Sequence, residues 1–267
     1  MRIIVCIKQV PASSNVEIDP QSGTLKRAGA ESKTNPYDLY AIEAALRLRE
    51  KLGGTVTAIT MGPAQAEEMM RDAYSMGVDH AVILSDKKFA GSDVLATSYT
   101  LSQGITALGD FDLIICGKQT TDGDTAQIGP ALAEHLHLPH TAWVSEICEA
   151  TDTFIRVRQN LTSYTQVSEM EYPCVITVDK DMVVPRLPSW KLQKATAERP
   201  VQYLSFEDLP DQDMSRYGLV GSPTTVERIF PPEKSAGQVY LEGSAEEKTE
   251  ALYEILRKKK FVQAGGE

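Results

Sequence analysis

The sequence predicts an α/β protein built on a doubly wound, mostly parallel sheet. Two patterns predict it. Ile3 to Ile7, Val56 to Met61, Ala81 to Leu84, Leu113 to Cys116 and Cys174 to Val178 are short, β-branched, nearly continuous apolar runs, as strands covered on both faces are. Helical patterns separate them over the first ~140 residues, and parallel neighbours need such crossovers.

The elements follow in order. The first helix takes Asn35 as N-cap and Pro36 at its first position, carries Leu39, Ile42, Ala45 and Leu46 on one stripe, and stops at Gly53-Gly54. Pro63 to Met76 and Ser92 to Leu108 repeat the scheme, each followed by Gly. A fourth helix is expected from about Ala126 to His137, with Thr125 as N-cap and Pro139 forcing its end. Thr153 to Arg158 and Ser163 to Glu169 then alternate in polarity like an antiparallel pair, so the sheet is expected to be mixed at one edge. From Pro185 to about Pro232 no period of 2 or 3.6 is sustained, which reads as an arm. Ser244 to Glu247 forms a capping box, behind which Leu252, Ile255 and Leu256 make a narrow stripe that ends at Lys258-Lys259-Lys260. The pattern leaves open whether this helix docks on its own core or on a second chain. The expected division is an α/β domain over 1–184 and an arm ending in a helix over 185–267.

Composition bounds the function. Of 267 residues, 42% are apolar and 24% charged, which excludes disordered and collagen-like chains. With 27 Lys and Arg against 37 Asp and Glu, the net charge of −10 disfavours nucleic acid as a partner. The longest apolar runs fall far short of the ~20 residues a membrane span needs, and the start lacks a signal-peptide pattern, so a cytoplasmic chain is expected. Cys6, Cys116, Cys148 and Cys174 show no C-x-x-C spacing and read as small buried hydrophobes rather than metal ligands or a disulfide frame.

Ligands of open α/β sheets bind at the carboxyl ends of the strands. One loop there stands out. Gly117-Lys118-Gln119-Thr120-Thr121-Asp122-Gly123-Asp124-Thr125 joins a buried strand to the fourth helix, with glycines that permit close approach and helix-terminal amides that favour an anion. It is neither a Walker A loop nor a G-x-G-x-x-G turn. Asp122 and Asp124 would oppose a phosphate if aimed at it, so they are expected to accept from ribose hydroxyls or loop amides. Local chemistry leaves two readings, a nucleotide loop and a polar turn capping a helix. His135 and His137 diverge at a helix end and read as structural, so no metal is expected. No Ser/His/Asp or Cys/His set shows a catalytic spacing. Trp190, in a proline-bounded segment, is a candidate for partner contact.

Val5-Cys6-Ile7-Lys8-Gln9-Val10-Pro11, Asn35-Pro36-Tyr37-Asp38, Met61-Gly62-Pro63-Ala64-Gln65 and Gly117 through Pro130, in that order along nearly the whole chain, resemble the β subunit of electron transfer flavoprotein. The resemblance implies a Rossmann-like, adenine-nucleotide-binding fold and a non-autonomous subunit that works in an αβ heterodimer. Within the family, Asp122 to Pro130 resembles the bifurcating branch, which holds FAD in the β subunit where ordinary members hold AMP. Carried over by position, the nucleotide contacts are Cys6, Asn35, Pro36, Tyr37, Asp38, Met61, and Gly117 to Thr125 with Ala126, Gln127 and Ile128. The resemblance also implies a partner loop over Pro185 to Lys191, with Leu187 as anchor and Trp190 beside it. By the same resemblance NADH gives a hydride to the β-site flavin. One electron then goes to ferredoxin or flavodoxin, the other through a second FAD in the α subunit to a partner. That partner is an acyl-CoA dehydrogenase or enoyl-CoA reductase, or a lactate-type dehydrogenase. No residue is expected as acid, base or nucleophile, since the chemistry is the flavin's. An ordinary electron transfer flavoprotein β subunit with structural AMP is the second reading, and a free-standing nucleotide-binding α/β enzyme the third.

Overall fold

The computed structural model describes residues 1–12, 32–180, 182–227 and 240–262. In chain order the elements are β1 (Arg2–Cys6), β2 (Gln9–Pro11), β3 (Ser32–Thr34), α1 (Pro36–Leu52), β4 (Thr55–Met61), α2 (Glu67–Met76), β5 (His80–Leu84), α3 (Val94–Leu108), β6 (Leu113–Gly117) and α4 (Ile128–Leu136). They continue as β7 (His140–Ala150), β8 (Phe154–Asn160), β9 (Thr165–Glu171), β10 (Cys174–Val178), α5 (Trp190–Ala195), β11 (Gln202–Leu204) and α6 (Ala245–Lys258). The chain forms two compact units, Met1–Arg228 and Ile229–Glu267.

The first unit is a nine-stranded sheet in the order β11-β5-β4-β1-β6-β10-β7-β8-β9, with a separate antiparallel pair β2-β3. From β11 to β7 every pairing is parallel, and β8 and β9 add antiparallel. The α/β class and the mixed edge follow the sequence. Along β1, side chains alternate between two apolar clusters: Ile3 and Val5 face the one that includes α1 and α2, Ile4 and Cys6 the one that includes α3 and α4. Burying a large aliphatic side chain contributes roughly 1.5–3 kcal/mol, so a strand with buried residues on both faces is tied firmly into the sheet. β4 flanks β1 on one side and β6 on the other, so chain order reverses beside β1. That reversal is the topological switch point.

Three expectations need correction, and one strand, β7, is not foreseen from the sequence at all. β7 carries no clean alternation because its register shifts twice, between Val144 and Glu146 and between Ile147 and Glu149, and each bulge resets the period. The helix expected to start at Ala126 behind an N-cap at Thr125 begins at Ile128 with Gln127 as N-cap, because Asp124 and Ala126 take left-handed φ of 55° and 53°. Cys148 is exposed, whereas Cys6, Cys116 and Cys174 are buried as expected. The segment read as an arm from Pro185 supplies β11, which pairs with β5, and buries Leu204, Phe206, Leu209 and Tyr217 in the core, so the compact unit extends to Arg228. The expected end of that arm near Pro232 lies outside the described residues.

In the second unit α6 carries the expected capping box: Glu247 N–H donates to Ser244 Oγ at 3.2 Å and Ser244 N–H to Glu247 Oε2 at 2.7 Å. Among the described residues no helix is long and apolar enough to cross a membrane.

Candidate functional site

The ends of β1, β4 and β6 place Cys6, Met61 and Gly117 along one edge of the sheet, at the switch point. The start of α1 brings Asn35, Pro36, Tyr37 and Asp38 to the same edge. Gly117 touches that turn so closely that a Cβ there would overlap Asp38 Oδ1 and lie 2.8 Å from the Tyr37 carbonyl carbon. Glycine is required at 117 for this approach.

Asn35 does not cap α1 with its side chain. Being fully buried, it joins segments instead: its amide donates to Asp38 Oδ1 and to the Gln119 carbonyl, both at 2.9 Å, and its Oδ1 accepts from Thr121 N–H at 3.2 Å. Both side-chain donors are spent on the protein, so Asn35 serves the loop rather than reaching a ligand with its amide. Burial pushes the Asp38 carboxyl up to about 7, although Asn35, the Lys8 N–H, the Lys8 charge and the Gly117 N–H favour its ionised form.

Lys118 leaves the strand end with its N–H on the Val178 carbonyl at 2.9 Å. Its Nζ pairs with Asp179 at 3.0 Å and lies 4.7 Å from the centre of the Trp143 ring. Trp143 holds a positive φ of 59°, an outlier for a bulky residue, with its N–H on Thr177 Oγ1 at 2.8 Å. Gln119 donates to Asp124 Oδ1 at 2.5 Å, and Asp124 N–H to the Thr120 carbonyl at 3.0 Å. Both oxygens of the Asp122 carboxylate accept from Lys8 Nζ, at 2.8 and 2.6 Å, and the Thr120 side chain bonds it as well. Thr121, Asp122, Gly123, Asp124, Thr125 and Gln127 expose themselves to solvent, while Thr120, Ala126 and Ile128 are half-buried.

These features fit a nucleotide. Gln127 gives α4 no side-chain cap, so its side chain does not compete for the Ile128 and Gly129 amides of the first turn; Pro130 has no N–H, and Ala131 N–H is already on the Gln127 carbonyl. The two acidic side chains of the loop are engaged by Lys8 and Gln119. Cys116 is not an activated nucleophile: a hydrogen bond with Cys6 and burial hold its thiol well above its ordinary range. Lys8, Trp143 and Asp179 are missing from the residues nominated by sequence. A cation directly after a buried strand end was the available signal for Lys8.

Leu187 and Trp190 are on another surface. Arg186 ties their segment to α1, with Nε on Glu43 Oε2 and Nη1 on Glu50 Oε1, both at 2.7 Å, and Ser189 N–H donates to the Ser75 carbonyl at 2.8 Å. Glu50 lies 14 residues past Pro36, about 21 Å along the helix at 1.5 Å per residue. On this tether Leu187 is 86% and Trp190 69% exposed.

Fold and edge define an open, doubly wound α/β protein with a switch point beside β1, the place where proteins of this architecture bind their ligands. A family model, the electron transfer flavoprotein domain, matches residues 22–209. The chain is 40% identical to the electron transfer flavoprotein subunit beta of Thermoanaerobacterium thermosaccharolyticum, over 98% of this chain and 100% of that one. It is 41% identical to the acryloyl-CoA reductase electron transfer subunit gamma of Anaerotignum propionicum, again over 98% and 100%. It is 39% identical to the caffeyl-CoA reductase-Etf complex subunit CarD of Acetobacterium woodii, with the same coverage. The chain therefore belongs to the electron transfer flavoprotein family, among its β subunits.

Proposed function

We propose that this chain is the β subunit of a bifurcating electron transfer flavoprotein that binds FAD at the switch-point edge and accepts electrons from NADH. The carrying observation is the uncapped start of α4 behind a loop whose acidic groups are already engaged, because such an edge accepts a pyrophosphate without a buried cation. Bound there, the flavin would supply the hydride and one-electron chemistry. Gly117 to Ile128 would hold the phosphates and ribose, with Asn35 to Asp38, Cys6 and Met61 closing the edge.

In this reading residues 1–184 serve the nucleotide and 185–267 serve partners. These are an α subunit carrying a second FAD, ferredoxin or flavodoxin, and a dehydrogenase, all in the cytoplasm. The names of the two relatives from acryloyl-CoA and caffeyl-CoA reductase systems favour an enoyl-CoA reductase or acyl-CoA dehydrogenase over a lactate-type enzyme. Leu187 and Trp190 present the apolar anchor for it.

The visible spectrum and flavin-to-protein ratio of the purified αβ complex test the assignment. Two FAD per heterodimer is the expected result. One FAD with one AMP would instead make this an ordinary carrier subunit, and no flavin with ATP turnover a free-standing enzyme.

A further inference from the structure

Three segments meet on Lys8. Its N–H donates to Asp38 Oδ2 at 2.7 Å and its carbonyl accepts from Asn35 N–H at 2.8 Å, which fixes it to the start of α1. Its Nζ crosses to the β6–α4 loop and grips both oxygens of Asp122. The Asp122 backbone is open to solvent, yet its side chain is only 17% exposed. Lys118, the cation within the loop itself, is committed to Asp179. Asp124 is met by the neutral amide of Gln119. Asp122 is thus the loop carboxylate that receives a full opposite charge.

That matters because the loop ends at the uncapped start of α4, where an anion is favoured and a bare carboxylate would oppose it. We propose that Lys8 is a positioning residue for nucleotide binding: through Asp122 it straps the loop to the end of β1 and cancels a charge that would repel the ligand's phosphate. This rests on the nucleotide reading of the loop. Ion pairs with an exposed partner contribute little to folding, so the consequence falls on affinity rather than on stability.

A double-mutant cycle on the αβ complex stripped of nucleotide tests it, with FAD and AMP titrated separately by calorimetry. Lys8→Met is expected to weaken both by about tenfold while the melting temperature of the stripped complex stays put. Lys8→Arg should keep the affinity. In an Asp122→Asn background Lys8→Met should cost nothing further, because the charge it screens has gone. Equal loss in both backgrounds would mean that Lys8 touches phosphate directly, and no loss in either would remove it from binding; both overturn the proposal. Asp122→Asn alone loses the strap but also the repelling charge, so it is expected to bind nucleotide more tightly than Lys8→Met does; binding equal to or weaker than that of Lys8→Met would contradict the screening. Wild-type complex that takes up neither FAD nor AMP would sink the nucleotide assignment, and this proposal with it. Normal uptake indifferent to Lys8 would sink this proposal alone.

Discussion

Gly117 and Asp38 are packed so tightly that the strand end and the first turn of α1 share one surface, with no room between them for a side chain at 117. Gly117→Ala should therefore push α1 and the β6–α4 loop apart. Overpacking of this kind costs roughly 1–3 kcal/mol. Denaturant midpoints of the αβ complex measure it, and a variant as stable as wild type with unchanged nucleotide content would contradict the geometry.

The Asp38 carboxyl itself should imprint a pH dependence. Its value is about 7 in the fold against 3.8 for the ordinary group, so the folded protein holds this proton more tightly than the unfolded chain does. The resulting stability is fully present below the ordinary value and is lost as pH rises through about 7. Asp38→Asn removes that titration. Relative to wild type the variant should thus gain as pH rises between those two values, at roughly 1.4 kcal/mol for each tenfold fall in proton concentration. Urea midpoints of both proteins at about pH 5 and about pH 8 report it. A difference between the two that ignores pH would show that Asp38 stays ionised throughout.

Gly123 offers the opposite case to Gly117. A Cβ there meets nothing nearer than Thr120 Oγ1 at 3.8 Å, and its φ is not left-handed, so the protein alone tolerates a side chain. Gly123→Val should leave folding within about 0.5 kcal/mol of wild type, as for other exposed positions. Any loss of nucleotide then reports crowding of the ligand rather than damage to the fold. Flavin and AMP content of the purified complex is the measurement, and a full complement in the variant would move the binding site away from this loop.

What could be read from the sequence was local. Asn35-Pro36 before an apolar stripe and Gly53 after it mark both ends of α1, and continuous β-branched runs mark β1, β4, β5, β6 and β10. Features made by distant residues were not legible. Lys8 and Asp122 are 114 positions apart, and nothing in either neighbourhood announces their pairing. Two bulges hide β7 from any period-2 count. Left-handed φ at Asp124 and Ala126 moves the start of α4, and alanine carries no signal for such a conformation. Phe206 and Tyr217 look isolated in sequence, yet their rings pack together with centroids 5.1 Å apart. The β6–α4 loop could be picked out because a Gly-rich turn after a buried strand is a short-range pattern; the tethers that shape it could not.

The tether under Leu187 leads to the last prediction. Arg186 makes bonds to Glu43 and Glu50 on α1, and Ser189 both bonds to Ser75 and caps α5, so the backbone around Leu187 is held before any partner arrives. An exposed aliphatic side chain on a preordered backbone loses little entropy on binding, which suits it to anchor a complex. Leu187→Ala removes apolar surface that the isolated subunit leaves 86% exposed, so stability should stay within about 0.5 kcal/mol of wild type. Electron delivery to the dehydrogenase should fall by about tenfold, the effect of a moderate interface hot spot. Reduction of the complex by NADH should proceed at the wild-type rate, because that chemistry is assigned to the strand-end edge, away from the Arg186 tether. Rapid mixing with NADH, followed separately by flavin bleaching and by dehydrogenase turnover, distinguishes the two events. Loss of both rates together, or of neither, would take this segment out of partner recognition.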